Sequence, residues 1–305
     1  MPQTEADFAG PMVAAAVQVA QAVGADALLA YTSAVDDLAD LRAMLKPPTK
    51  LILVCRDARD EQRAKEADIE HITVPPFHLT RIGQIKMATL IAFSQQALKT
   101  GDVFVFLTGV AGQGIDTLLT MRVGKEFELF QSVGQPKLTE HIRRAVFERV
   151  LTLTLELANE GREGKPVGAL FVVGDQTQVQ KYCQSGRINP FRGYSEKKRN
   201  ILDDTIGETI KELAKLDGAF VIKGNGVIVS AGTTLRPALA GEALPPGLGA
   251  RHAAAANITA STKSIAISLS ESTATVRVWR RGALITEIER AGRPLGDGTT
   301  PTAIH

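Results

Sequence analysis

Between Leu216 and Leu284, three short runs carry residue types suited to phosphate chemistry. Asp217-Gly218-Ala219 sets an acid on a tight turn. Gly249-Ala250-Arg251-His252-Ala253 delivers an arginine and a histidine side by side, after a glycine bend and ahead of a small-residue helix. Ser270-Glu271 adds a second acid after the apolar strand Ile265–Leu269. A carboxylate on a turn can hold a divalent cation, and an Arg/His pair offers donors to phosphate; nucleotide chemistry needs both. The same residues also fit an Asx turn at Asp217, a salt-bridged Arg251 and a surface carboxylate at Glu271.

The elements that must position these residues follow from the apolar periodicity. A chain of 305 residues has room for two domains, each with its own core. In the first part, helices and strands alternate: a helix over Pro11–Ala22, then strands at Ala27–Tyr31, Lys50–Val54, His71–Val74 and Val103–Leu107. Helices are expected near Asp36–Leu45, Glu61–Glu66 and Leu79–Lys99, and a further strand at Leu118–Val123. That order predicts an α/β fold, a three-layer and mostly parallel domain over residues 10–130. Residues 126–138, with Gly134 and Pro136, read as the boundary. Leu138, Ile142, Val146, Val150, Leu153 and Leu157 then fall at helical spacing, ahead of Gly161. Val167–Val173 reads as a strand, and Asp203/Asp204 as the cap of a helix running to Lys215 that delivers Asp217. His141 sits among charges and reads as solvated, as does the basic run from Lys181 to Asn200. Met1–Gly10 and residues 291–305 read as loose tails.

The order Asp-Gly-Ala, then Gly-x-Arg-His before Ala-Ala-Ala, then Ser-Glu before a strand, resembles the diadenylate cyclase domain. Gly164-Lys-Pro-Val-Gly168-Ala-Leu-Phe-Val172 and Asn189-Pro-Phe-Arg-Gly-Tyr194 are similar to that family too. The likeness runs from about Lys137 to Arg290 and implies a mixed-sheet α/β domain over residues 137–290. It implies condensation of two ATP into cyclic di-AMP with release of two pyrophosphates, assisted by Mn²⁺ or Mg²⁺. A nucleotide-binding relative without turnover is the alternative. By resemblance, Asp217 serves the metal and the attacking hydroxyl, and Gly218 and Ala219 let the nucleotide approach the backbone. Leu235 walls the adenine, Gly249–Ala253 cradle the triphosphate, and Glu271 is a second metal ligand or a surface carboxylate. Bacterial members usually read Gly-Thr-Arg-His-Arg, so Ala250 and Ala253 remove a hydroxyl and a guanidinium from the cradle. Each lost charged hydrogen bond costs on the order of 1.5–3 kcal/mol. Lys263 or the basic Lys181–Arg199 run is the expected replacement. One domain presents one ATP, so two sites must face each other in at least a homodimer.

Gly101-Asp-Val-Phe-Val-Phe-Leu-Thr-Gly109, followed by Thr117-Leu-Leu-Thr-Met-Arg-Val123, resembles the carboxy-terminal domain of pyruvate kinase. That implies an assembly or regulatory role, with Thr32, Ser33, Thr108, Gly109 and Gly112–Gly114 as a pocket for a phosphorylated effector, or a scaffold that has lost its ligand. The glycine loop lacks the lysine of a P-loop and also reads as a plain turn. A net charge of +2 gives no polyelectrolyte signature for nucleic acid, and Cys55 and Cys183 alone make no disulfide framework. No apolar run approaches a membrane span, so the expected location is cytoplasmic.

Overall fold

The computed structural model describes residues 9–109, 114–124, 141–184, 188–236 and 249–291. The expected boundary at 126–138, Gly112, Arg187, and all but Ala291 of the carboxy-terminal tail lie outside them.

The first sheet is built from apolar runs too continuous to face water on either side. Helix α1 (Ala9–Val23) leads into β1 (Ala27–Tyr31), followed by α2 (Leu38–Met44), β2 (Lys50–Cys55), α3 (Ala58–Glu66) and β3 (Glu70–Thr73). Then come α4 (Arg81–Ser94), β4 (Val103–Thr108) and β5 (Thr117–Arg122). The sheet order is β3-β2-β1-β4-β5, with β5 alone antiparallel. Leu28 and Ala30 face α1–α3, whereas Leu29 and Tyr31 face α4, giving the three layers expected. Helices α2, α3 and α4 start where Asp37, Asp57 and Thr80 side chains accept backbone N–H groups at 2.8, 2.8 and 3.0 Å.

The second part comprises α5 (Arg144–Glu160), β6 (Ala169–Val173), α6 (Gln176–Val179), β7 (Cys183–Gln184), α7 (Gly207–Leu213), β8 (Ala219–Ile222) and β9 (Ile228–Leu235). It continues with α8 (Ala250–Ser261), β10 (Ile265–Leu269), β11 (Val276–Arg280) and β12 (Ala283–Ile288). These strands form a mixed sheet, β12-β11-β10-β6-β8-β9-β7. Phe171 and Phe220, paired in register, stack at 4.9 Å on the α5 face, while Leu170, Val172 and Trp279 pack under α8.

Three local expectations shift. Ile142 precedes α5 rather than joining it, because the Arg143 N–H donates to the Gly224 carbonyl at 2.8 Å and holds the chain extended there. The helix expected from Asp203 to Lys215 is a 3-10 turn, Asp204–Ile206, followed by α7. Ala9 and Gly10 are already helical. His141 is exposed, as are Lys181, Arg192, Lys197 and Lys198. Among the described residues no helix is long and apolar enough to cross a membrane.

The two parts meet along β12. Its continuation pairs with the approach to α4: Thr80 N–H donates to Glu289 O (3.4 Å) and Ala291 N–H to His78 O (3.0 Å). Ser94 and Gln95 side chains donate to Glu148 of α5 at 3.0 and 3.1 Å.

Candidate active site

Sheet register gathers the chemistry at one end of the second sheet. Leu269 pairs antiparallel with Ala169, so Ser270-Glu271 leaves β10 where Gly168 enters β6. Strand β8 runs parallel to β6, which brings Asp217 and Gly218 to the same end. Helix α8 begins there as well, its Ncap Gly249 making no side-chain cap bond. The first N–H groups of a helix lack intrahelical acceptors and carry the positive end of its dipole, which suits an anion.

These elements enclose a cavity of about 780 Å³ lined by Asp217, Gly249, Ala250, Arg251, His252 and Glu271, together with Pro166, Ser270 and Arg277. A cavity of roughly 300–1,000 Å³ is usual for a small-molecule ligand. Arg251 spans it: Nη1 lies 3.3 Å from Glu271 Oε2 and Nη2 4.0 Å from Asp217 Oδ1. One guanidinium is therefore flanked by both acids predicted to handle the metal. Gly168 makes this possible, since a Cβ there would sit 2.3 Å from Arg251 Nη1 and 3.2 Å from Glu271 Cβ.

His252 is buried (7 % exposed), with Nε2 3.0 Å from Arg277 Nη1. Arg277 Nε in turn donates to Glu287 at 3.0 Å. Burial first, then the Arg277 and Arg251 charges, hold the imidazole pKa below its ordinary value of 6.5. A guanidinium only donates, so Nε2 is the acceptor and the proton of the neutral ring sits on Nδ1. Nδ1 faces the helix start, where a Cβ added to Gly249 would come within 3.9 Å of it.

Four other predicted residues lie outside this lining. Gly218 has φ +115°, and a Cβ on it would meet Gly232 C at 2.5 Å, so the backbone it accommodates is that of β9. Ala219 is buried in β8, Leu235 pairs with Cys183 at the sheet edge, and Ala253 lies further along α8. Among the described residues, neither Lys263 nor any residue of the Lys181–Arg199 run lines the cavity. The Lys263 N–H caps onto Asp175 at 2.8 Å, and Arg199 donates to the Tyr194 carbonyl at 3.1 Å. Arg277 and Glu287 were missed, since a charged residue in an alternating strand reads as a solvated face; Gly168 was seen only as part of a motif and of the strand Val167–Val173, with no role given to it.

In the first domain, Thr32 and Thr108 are fully buried and their hydroxyls are engaged, Thr32 with Val54 O and Cys55, Thr108 with Gln84. Gly109 lies tight against the Gly114 backbone, and Ser33 is exposed. The effector pocket expected from these residues is occupied by the chain's own packing at the threonines.

Residues 156–284 match the family model described as the DisA bacterial checkpoint controller nucleotide-binding domain, and residues 10–130 match that of the probable sensor domain DacZ_P. A solved pyruvate kinase from Cryptosporidium parvum is similar over 39% of this chain and 23% of its own, at 15% identity and a TM-score of 0.30, too weak a likeness to carry an argument. A diadenylate cyclase of Haloferax volcanii is 37% identical over 201 residues, which is 65% of this chain and 72% of the relative. One of Methanocaldococcus jannaschii is 35% identical over 208 residues, 65% of this chain and 63% of the relative. With a curated relative 37% identical and covered over 72% of its length, and the family model matching residues 156–284, the chain belongs to the diadenylate cyclase family.

Proposed function

We propose that the carboxy-terminal domain condenses two ATP into cyclic di-AMP, releasing two pyrophosphates. The observation that carries this reading is the convergence of Asp217, Arg251, His252 and Glu271 on one cavity at the start of α8. In each half-reaction a 3′-oxygen bonds to the other nucleotide's α-phosphorus while the bond to the leaving pyrophosphate breaks and the hydroxyl proton departs. Backbone N–H groups at Gly249–Arg251 and the Nδ1–H of His252 bind phosphate oxygens. Arg251 exchanges its two carboxylates for phosphate as the nucleotide enters, which releases Asp217 and Glu271 for a cation. Asp217, exposed at the rim, takes up the hydroxyl proton of the facing nucleotide.

Among the described residues no three His, Cys, Asp or Glu side chains gather as a protein-only metal site. Two carboxylates beside a phosphate cradle fit Mg²⁺ or Mn²⁺, which complete their shells with substrate oxygens and water. When bound, such an ion neutralises phosphate charge and eases loss of the hydroxyl proton.

Because one cavity serves one ATP, two copies of the chain face each other in the active form. The amino-terminal part, which matches the probable sensor domain model over residues 10–130, serves sensing or assembly. Incubation with ATP and Mg²⁺ or Mn²⁺, followed by mass-resolved chromatography, tests the reaction. A cyclic dinucleotide peak is expected; its absence under both metals would overturn the reading. Specific activity should fall on dilution, and a monomer active independently of concentration would sink the paired-site arrangement.

A further inference from the structure

We propose that Arg277 is the second phosphate-facing guanidinium of this cavity, aimed by Glu287 and itself fixing His252 as an Nδ1–H donor. The inference rests on the proposed nucleotide site and assigns a residue beyond the motif acid Glu271, on the next strand, β11. Two observations carry it. Arg277 lines the same cavity as Arg251, Asp217 and Glu271. It is also tied at two points, by Nε to Glu287 (3.0 Å) and by Nη1 to His252 Nε2 (3.0 Å).

The local fold explains the placement. Val276 and Val278 point to the α5 side of the sheet, so Arg277 and Trp279 point to the α8 side, under His252. The ring centroids of His252 and Trp279 are 6.2 Å apart, and Trp279 is anchored by its Nε1–H to Ser268 at 2.8 Å. Glu287 is the cross-strand partner of Arg277 on β12. The guanidinium is thus fixed before any ligand arrives, and only one-fifth exposed.

The composition of the lining favours it. Arg251 is flanked by Asp217 and Glu271, so this trio is net negative, and His252 is neutral near neutral pH. Besides Arg251, Arg277 is the cation among the described lining residues, and it adds a second set of guanidinium donors for a triphosphate, while a divalent ion at Asp217 and Glu271 would offset their charge. Its two bonds here take two of five guanidinium donors. Fork-like donors on a preorganised arginine suit phosphate oxygens. Arg277 therefore offers, from β11, the guanidinium donors that Ala253 does not offer from α8.

The test is calorimetric binding of 3′-deoxy-ATP, which lacks the attacking hydroxyl and reports binding without turnover. Arg277→Gln is expected to weaken it at least tenfold, and Arg277→Lys, which keeps the charge, less than half as much on a logarithmic scale. Glu287→Gln keeps an acceptor for Nε and is expected to fall between parent and Arg277→Gln. Nitrogen-15 spectra should show His252 protonated on Nδ1 in the parent, and a mixture of tautomers in Arg277→Gln. Affinity within twofold of parent in Arg277→Gln would overturn the proposal. So would equal losses in the Lys and Gln variants with an unchanged tautomer, the pattern of a purely structural arginine. A parent that binds no 3′-deoxy-ATP would overturn the nucleotide site itself, whereas a parent that binds it but makes no cyclic product would overturn only the proposed reaction.

Discussion

Gly168 offers a substitution whose effects on stability and on chemistry should separate. Adding one methyl group as Gly168→Ala places a Cβ 2.3 Å from Arg251 Nη1 and 2.8 Å from its Cζ. Ordinary contact begins near 3.4 Å, so the guanidinium must retreat by about 1 Å. It sits at the far end of a flexible side chain that is 31% exposed, so the retreat costs little folding free energy. The retreat breaks the register of Arg251 between Asp217 and Glu271, and a misplacement of about 1 Å can lower a rate on the order of 10²-fold. At about 1.4 kcal/mol per decade this is roughly 2.7 kcal/mol of transition-state stabilisation. The assay is cyclic di-AMP formation at subsaturating ATP, paired with a urea titration of the same preparation. The expected pair of results is kcat/KM reduced about a hundredfold with an unfolding midpoint near the parent's. Parent-like turnover would refute the role given to Arg251, and a loss of stability matching the loss of rate would refute the claim that the guanidinium takes up most of the displacement.

Asp217→Asn keeps size and removes charge; cyclic product should vanish while calorimetry still detects ATP, and turnover at the parent's rate would show that another group handles the hydroxyl. His252 gives a pH dependence whose sign is fixed by its lowered pKa. Below 6.5 the unfolded chain takes up a proton that the folded imidazole resists, so stability is full above 6.5 and declines as pH falls toward the folded value. Urea midpoints from pH 8 to 5 should show that decline in the parent and less of it in His252→Gln. Gly83 lies in α4, where a Cβ would meet Glu289 O at 2.6 Å. A backbone carbonyl cannot swing aside, so the clash outweighs the few tenths of a kcal/mol gained from helix propensity, and Gly83→Val should cost about 1–3 kcal/mol in chemical denaturation.

The sequence made legible whatever was local. Asp217, Gly249, Arg251, His252 and Glu271 lie in short runs whose order survives without knowledge of the sheet, and all five line one cavity. The strands of the first domain were readable because buried parallel strands are nearly continuous apolar runs. Long-range register was not readable. Counted back from the β11–β12 turn, where Arg280 faces Ala283, regular pairing would set Arg277 opposite Thr286. A bulge between Val278 and Trp279 inserts one extra residue on β12 and brings Glu287 into line instead. Only that one-residue slip places a carboxylate beside the guanidinium, and no motif marks it. The packing at Gly218 was hidden for a similar reason: the backbone closest to it belongs to Gly232, fourteen positions on, and was invisible until β8 met β9.

The same strand that aims Arg277 is the one on which the first domain rests. Strand β12 is the sheet's edge, and an uncovered edge presents unpaired N–H and C=O groups. Thr80 and His78 take up that role just beyond its end, through Glu289 O and Ala291 N–H. Glu287 stands two residues before Glu289, so the contacts run from the start of α4 to the seam, from the seam along β12, then across the ladder to Arg277 and on to His252. Two domains joined only by a linker would leave the cavity indifferent to what the first one binds. Here the joint continues the strand whose Glu287 holds Arg277 at the cavity. A ligand in the first domain acts on this cavity only if it favours one of two arrangements of the seam, because coupling needs an element with two states and not merely a path of contacts. The seam, with Gly83 against Glu289, is where such states would have to differ.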